Sequence, residues 1–574
     1  MERHTWMIAL TLLGAVSAAD ADEKEELILL KTTTINLIEQ LVKQGVITEK
    51  VANDMLKKAD AEAKAEHEAS KTNTVKDIKP ELNEVRVPYV PEFVKDEIRQ
   101  QVRRELKDEV VTDVMQKAKS EKWGTPDALP DWVNRFKLSG DMRLRYQNDF
   151  MASDNAPTDG QGNPYLNFPA INSAGGLNNT LPENLFLNTK EDRQRFRARV
   201  RLGIDAKVTD NLLAGVRLAS GNLPDPVSTN QMMGNTGSQY EFNLDRAFLK
   251  YDAVDDENFK WLTLTGGRIA NPWYVGGGEF TGGSELVWDT DLSFEGFAAT
   301  GRYSLGSATG QPDKHDKTRE VYATVGAFPL QEAELSSKDK WLFGGQVGLD
   351  WGFQNQDSIR AGLGYYDYMN IQGVPNTNNP PTCDTNQAVN NLSIPQFMQF
   401  GNTLVGICND PTNSGPTLFG LASDYNIINF NIAYDLAKFA PYHLIVAADY
   451  AKNIGFDKTE INRLNVVNDK SGGEVEEETD AWQVRMDFGW PKVERYGQWN
   501  VFALYKYVGR DAVLDAFSDS DFHLGGTNAK GWVVGGNYGL MKNLWFTGRW
   551  LSTDVINGPK FGIDTLQLDV NAKF

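Results

Sequence analysis

The sequence predicts an all-β transmembrane antiparallel barrel of about 16 strands, preceded by a periplasmic α-helical or coiled-coil segment. Three observations predict it. From Arg135 to Phe574, apolar and polar residues alternate with a period of two. The alternation returns in sixteen segments whose connections are by turns long and short. Beyond the N-terminus no run of about 18 apolar residues occurs, and mean hydropathy is -0.44. No helix therefore spans a membrane, whereas barrel strands, only half apolar, pass this filter.

Composition narrows the partners. The chain has 574 residues, 58 Lys and Arg against 78 Asp and Glu, and a net charge of -20. That acidity excludes a nucleic-acid partner, because no basic surface neutralises phosphates. Two cysteines exclude a disulfide-dense scaffold and a thiolate zinc site.

Residues 1–19 read as a secretory signal peptide: a short polar start, the apolar run Trp6 to Val16, then small residues with cleavage after Ala18 or Ala19. Residues 20–80 read as a periplasmic helical hairpin or coiled coil and a linker. Leu27, Leu30, Leu37 and Leu41 form one stripe, Gly45 breaks the run, and residues 60–80 are charged and poor in bulky side chains. Residues 81–134 read as an amphipathic helix and linker. Val94, Ile98, Val102, Leu106, Val110 and Val114 recur every four residues, a stripe that needs a partner.

Residues 135–574 carry the barrel. In the first segment Phe136, Leu138, Gly140, Met142, Leu144 and Tyr146 share one face, with Lys137, Ser139, Asp141, Arg143, Arg145 and Gln147 on the other. Segments begin near residues 135, 194, 211, 244, 259, 292, 318, 341, 357, 425, 441, 479, 498, 530, 543 and 564. Each runs about 10 to 14 residues, enough for a tilted strand to cross hydrocarbon. Long connections lie at 148–192, 221–243, 270–291, 369–424, 453–478 and 510–529; short ones lie at 209–211, 354–357, 438–440 and 541–543. An even strand number returns both barrel ends to the periplasm. Closure removes the sheet edges that lipid cannot hydrogen-bond. A soluble sandwich or propeller would also alternate. Strand length, the missing repeat, and aromatics near strand ends (Tyr146, Trp341, Trp351, Trp490, Trp499, Trp532, Trp550, Phe574) speak against it.

With the apolar face on lipid, the polar face lines a lumen. Arg193, Arg195, Arg197, Arg199 and Arg201 alternate with apolar residues, and each would cost roughly 2–4 kcal/mol at the bilayer midplane. They are expected to point into water, with Arg143, Arg145 and Arg217 on neighbouring strands, as a positive wall. The Gly-rich loop from Ala270 to Asp291 carries Glu279, Glu285, Asp289 and Asp291. Folded inward, these carboxylates would face the arginines across a constriction. The plain alternative is that inward acids such as Asp141, Asp205 and Asp245 pair with the arginines and hold the barrel's shape.

Cys383 and Cys408 in the longest loop are expected to form a disulfide, since free thiols are uncommon in an oxidising compartment. The run Glu474, Glu476, Glu477, Glu478 and Asp480 is either a solvated tip or a holder of divalent cations that bridge lipopolysaccharide. Five scattered histidines show no metal-ligand spacing, so neither an enzyme, a metal nor a cofactor is expected.

The segment Val87-Pro88-Tyr89-Val90-Pro91-Glu92-Phe93-Val94-Lys95-Asp96-Glu97-Ile98 resembles the putative porin family of Gram-negative outer membranes. So do Trp123-Gly124-Thr125-Pro126-Asp127-Ala128-Leu129-Pro130-Asp131-Trp132 and Gly140-Asp141-Met142-Arg143-Leu144-Arg145-Tyr146. The resemblance implies a passive diffusion channel for small hydrophilic solutes, set in outer-membrane lipid and lipopolysaccharide. Analogy with general porins implies a homotrimer. An anion- or substrate-specific channel is the first alternative. The second is a structural barrel whose periplasmic helices tether the envelope to peptidoglycan.

Overall fold

A computed structural model describes residues 135–156, 165–221, 225–276, 283–307, 318–334, 336–377, 382–383, 389–409, 416–464, 466–468 and 474–574. The expected signal peptide, helical hairpin and amphipathic helix, and Glu279 of the Gly-rich loop, lie outside the described residues.

Sixteen wall strands follow in chain order: β1 (Phe136–Met151), β2 (Arg193–Lys207), β3 (Leu212–Ala219), β4 (Asn243–Val254), β5 (Lys260–Ala270), β6 (Ser293–Ser307), β7 (Thr318–Gln331) and β8 (Lys340–Gly352). The second half comprises β9 (Ser358–Met369), β10 (Tyr425–Leu436), β11 (His443–Asn453), β12 (Asp480–Gly489), β13 (Trp499–Val508), β14 (Ala529–Met541), β15 (Leu544–Val555) and β16 (Gly562–Lys573). Each pairs antiparallel with the next, and β1 also pairs with β16, from Asp141 opposite Lys573 to Met151 opposite Ile563. The sheet is a closed barrel, as the alternation predicted. Every strand starts within two residues of the position read from the sequence. Period-two alternation fixes register so firmly because a slip of one residue would turn the apolar set inward.

β12 shows the two faces. Trp482, Val484, Met486 and Phe488 are exposed, while Gln483, Arg485 and Asp487 between them are buried. From Trp482 to Phe488 the strand advances about 20 Å along its own axis, a stretch that fits within the apolar band of a membrane barrel when the strand is tilted. Aromatics mark both edges of that band. Near the long-loop end Trp482 stacks with Tyr507 and Tyr505 meets Trp532; near the short-turn end Tyr442, Phe488, Trp490 and Trp499 cluster.

Three short strands belong to loops. Gln231–Met232 adds to β2, and Leu404–Asn409 pairs with Pro416–Leu421 inside the 370–424 connection. The buried apolar core lies inside the barrel, where loop side chains pack on the wall. Trp288 is 1% exposed and meets Phe294 of β6 and Tyr366 and Tyr368 of β9.

Candidate functional site

The alternation that points Leu144, Phe196, Leu202 and Val216 outward points the arginines of β1 to β3 inward. Pairing register sets them face to face: Arg143 is opposite Arg199, and Arg145 opposite Arg197. Like charges directly opposite on adjacent strands are destabilising, so the arrangement needs carboxylates. It has them. Arg145 Nε lies 2.8 Å from Asp569 Oδ1 and its Nη1 2.7 Å from Asp521 Oδ2. Arg199 and Arg201 share Asp141, at 3.1 and 2.8 Å, and share Asp291, at 3.3 and 3.1 Å. Arg195 pairs with Asp149, and Arg217 with Asp245. Arg143 donates instead to Asn230 Oδ1 at 2.6 Å. Among the described residues Arg193, Arg197 and Asp205 make no ion pair.

The described parts of the loop after β5, residues 271–276 and 283–292, sit inside the wall. Trp273 packs on Phe328 of β7 and Tyr366 of β9, and Arg360 of β9 lies 4.2 Å over the Tyr274 ring. Gly344 of β8 permits this approach, since a Cβ there would stand 2.7 Å from the Trp273 ring. Of the loop's described carboxylates only Asp291 meets the arginines, and Thr229 Oγ1 donates to it at 3.1 Å. Burial works to raise its pKa, but Arg199 and Arg201 overcome this and hold the carboxyl below the usual range. Glu285 accepts from Thr290 Oγ1 at 2.8 Å, and Asp289 accepts from the Ser520 backbone N–H at 2.9 Å. Burial, then the neighbouring Glu285 and Asp291, push the Asp289 carboxyl well up.

A second inward loop, 509–528, was not foreseen. Its Asp519 pairs with Lys506 of β13, and its Asp521 joins Arg145 of β1 to Arg549 of β15, the latter at 3.1 Å. Gln399 and Asn402 of the 370–424 connection donate to its backbone carbonyls, at 2.7 Å to Asp515 and 2.6 Å to Arg510. Cys383 and Cys408 of that connection form a disulfide, their Cα atoms 5.0 Å apart.

Two cavities adjoin these groups. One of about 890 Å³ is lined by Arg143, Arg199, Arg201 and Arg217, with Glu285, Asp289 and Asp291 from the first loop. The other, of about 400 Å³, is lined by Thr229, Asp245, Ser293, Phe328, Phe397 and Phe517. Arg145 and Arg195 are buried in their ion pairs, and Arg193 is exposed. Sequence reasoning missed Arg246, Asp521, Lys506 and Arg549. Arg549, between Gly548 and Trp550, was open to the same reading as Arg217; Arg246 follows Asp245 directly, where a register shift interrupts the alternation, and Asp521 sits in a loop with no period to reveal it.

The family model described as "Putative porin" matches residues 31–574. No curated protein compared with the chain matches it. Among solved structures, the outer-membrane channel DcaP of Acinetobacter baumannii is similar at 9% identity and a TM-score of 0.37, over 76% of this chain and 97% of that one. OprB of Pseudomonas putida gives 11%, 0.41, 77% and 96%; OmpF of Salmonella typhi in complex with daunomycin gives 12%, 0.37, 76% and 97%. At such TM-scores the likeness adds nothing to the strand pairing, on which the fold rests. The family match, running over nearly all of the sequence, carries the assignment: the chain belongs to the putative porin family.

Proposed function

We propose that the protein is a passive diffusion channel of the outer membrane, passing small hydrophilic solutes and ions through a water-filled lumen with an arginine-lined wall. One observation carries this reading. A single closed sheet is apolar outside and charged inside, with a polar cavity of about 890 Å³ bounded by that charged face. Water in such a space keeps the guanidinium groups solvated at no cost to the lipid-facing belt. Arginines on β1 to β3 and carboxylates on the loop 271–292 set up a transverse field that sorts solutes by charge as well as size.

The balance of that field favours anions. Eleven basic and eight acidic side chains line the larger cavity, although the whole chain carries -20. On this reading residues 1–19 are the export signal and residues 20–134 face the periplasm. The barrel stands in lipid and lipopolysaccharide as a homotrimer. The support for these points is the pattern of the sequence.

The test is purified full-length protein in planar bilayers. Steady conductance with chloride more permeant than potassium is expected, and exchanging Arg197 and Arg199 for glutamine lowers that preference. A barrel with no steady conductance is a tether or an anchor, and the channel reading falls.

A further inference from the structure

The two cavities come within one residue of each other at three places. Thr229, Asp245 and Leu292 line the smaller cavity; their chain neighbours Asn230, Arg246 and Asp291 line the larger. The partition between them carries a third pair of opposed arginines, Arg217 of β3 and Arg246 of β4. Both line the larger cavity. A register shift after this pair sets Leu218 opposite Leu244, so Asp245 has no partner across the ladder. Its carboxylate takes Arg217 and also accepts from Ser293 Oγ at 3.2 Å. Arg246 Nε donates only to the same Ser293 Oγ, at 3.2 Å, and among the described residues Arg246 makes no ion pair.

One carboxylate thus serves two facing guanidinium groups. The other opposed pairs are better supplied: Arg143 and Arg199 have Asp141 and Asp291 beside them, and Arg145 and Arg197 have Asp569 and Asp521. Of the other charges that act on Arg246, Arg201 is alike in sign and Asp291 is already engaged by Arg199, Arg201 and Thr229. A guanidinium offers a planar fork of donors that matches two oxygens of a carboxylate or phosphate. Arg246 holds such a fork toward the cavity with no acid among the described residues to fill it.

We propose that Arg217 and Arg246, with Ser293 between them, form a binding site for the carboxylate or phosphate group of an anionic solute at the step between the two cavities. The solute's oxygens occupy Arg246 on arrival. Its place in transport rests on the channel reading above; the binding itself does not.

The experiment titrates full-length protein in detergent with inorganic phosphate and, separately, with acetate by calorimetry. The same variants are measured for chloride current in planar bilayers. Saturable binding is expected, weakened at least tenfold in Arg246→Gln and partly restored in Arg246→Lys. The tighter of the two probes identifies the group. Asp245→Asn, which frees Arg217, binds several-fold more tightly, and this arm decides the matter should Arg246→Gln not fold. Phosphate lowers chloride current in the parent protein and not in Arg246→Gln. The site is overturned by an absence of saturable binding, by equal binding in the parent protein and a folded Arg246→Gln, or by unchanged or weaker binding in Asp245→Asn. A barrel that binds phosphate without conducting overturns the channel reading alone.

Discussion

Asp521, in the loop between β13 and β14, places Oδ2 2.7 Å from Arg145 Nη1 on β1 and 3.1 Å from Arg549 Nη2 on β15. One loop carboxylate therefore spans the seam where the barrel closes. Burial alone would raise its pKa; the two guanidinium groups outweigh that and hold it well below the usual carboxylate range. Arg145 is fully buried, so removing the charge that faces it leaves a cation short of a partner. Asp521→Asn should lower barrel stability by on the order of 3 kcal/mol, read as thermal unfolding in detergent. It should also widen the lumen, read as a larger single-channel conductance.

Gly344 controls the other inward loop. Because a Cβ there would stand 2.7 Å from Trp273, Gly344→Val must push the indole off the wall. Overpacking of this kind costs about 1–3 kcal/mol. The expected result is a displaced loop 271–292 that a protease cuts faster, with the rest of the barrel still folded. Equal cleavage of the parent and variant proteins would contradict the packing described for Trp273.

The loop 509–528 carries a pH dependence. Asp515 is 1% exposed, with its backbone N–H bonded to Asn402 Oδ1 at 2.8 Å. Burial, then the nearby Asp511, push its carboxyl from 3.8 up to about 7. An unfolded chain releases this proton near 3.8 whereas the folded loop keeps it to about 7, so the folded state binds more protons between those values. Stability contributed here therefore falls as pH rises from about 4 to about 7, by on the order of 4 kcal/mol. Thermal unfolding across that range should show the decline in the parent protein, and Asp515→Asn should flatten it.

Adjacent residues of β12 test which face meets lipid. Val484 is exposed outside and Gln483 is buried inside. Val484→Arg should cost about 2–4 kcal/mol near the midplane, while Gln483→Arg should cost far less beside the lumen. Unfolding in lipid vesicles separates the two; equal losses would sink the assignment of faces.

How far these features could be read in advance follows from their period. The strands were legible because nearly all repeat a two-residue pattern over ten or more positions, and the placing of the β2 arginines on one face of their strand follows from the same period. The loop contacts have no period. Asp289 finds Ser520, 231 positions away, and Asn402 finds Arg510, 108 positions away, through packing that only the closed barrel brings about. Asp245 was readable as inward, but the register shift that leaves it serving both Arg217 and Arg246 leaves no mark in the alternation. Cys383 and Cys408 were legible from compartment chemistry, with no help from periodicity.

The two inward loops grip each other: the Asp289 backbone N–H donates to the Phe517 carbonyl at 2.7 Å, and the Ser520 N–H answers to the Asp289 carboxylate at 2.9 Å. Residues 283–292 and 509–528 are therefore the two halves of a single joint. A graft that replaces one half strands the donors and acceptors of the other, so engineering or evolution can re-bore the interior only by revising both segments in concert.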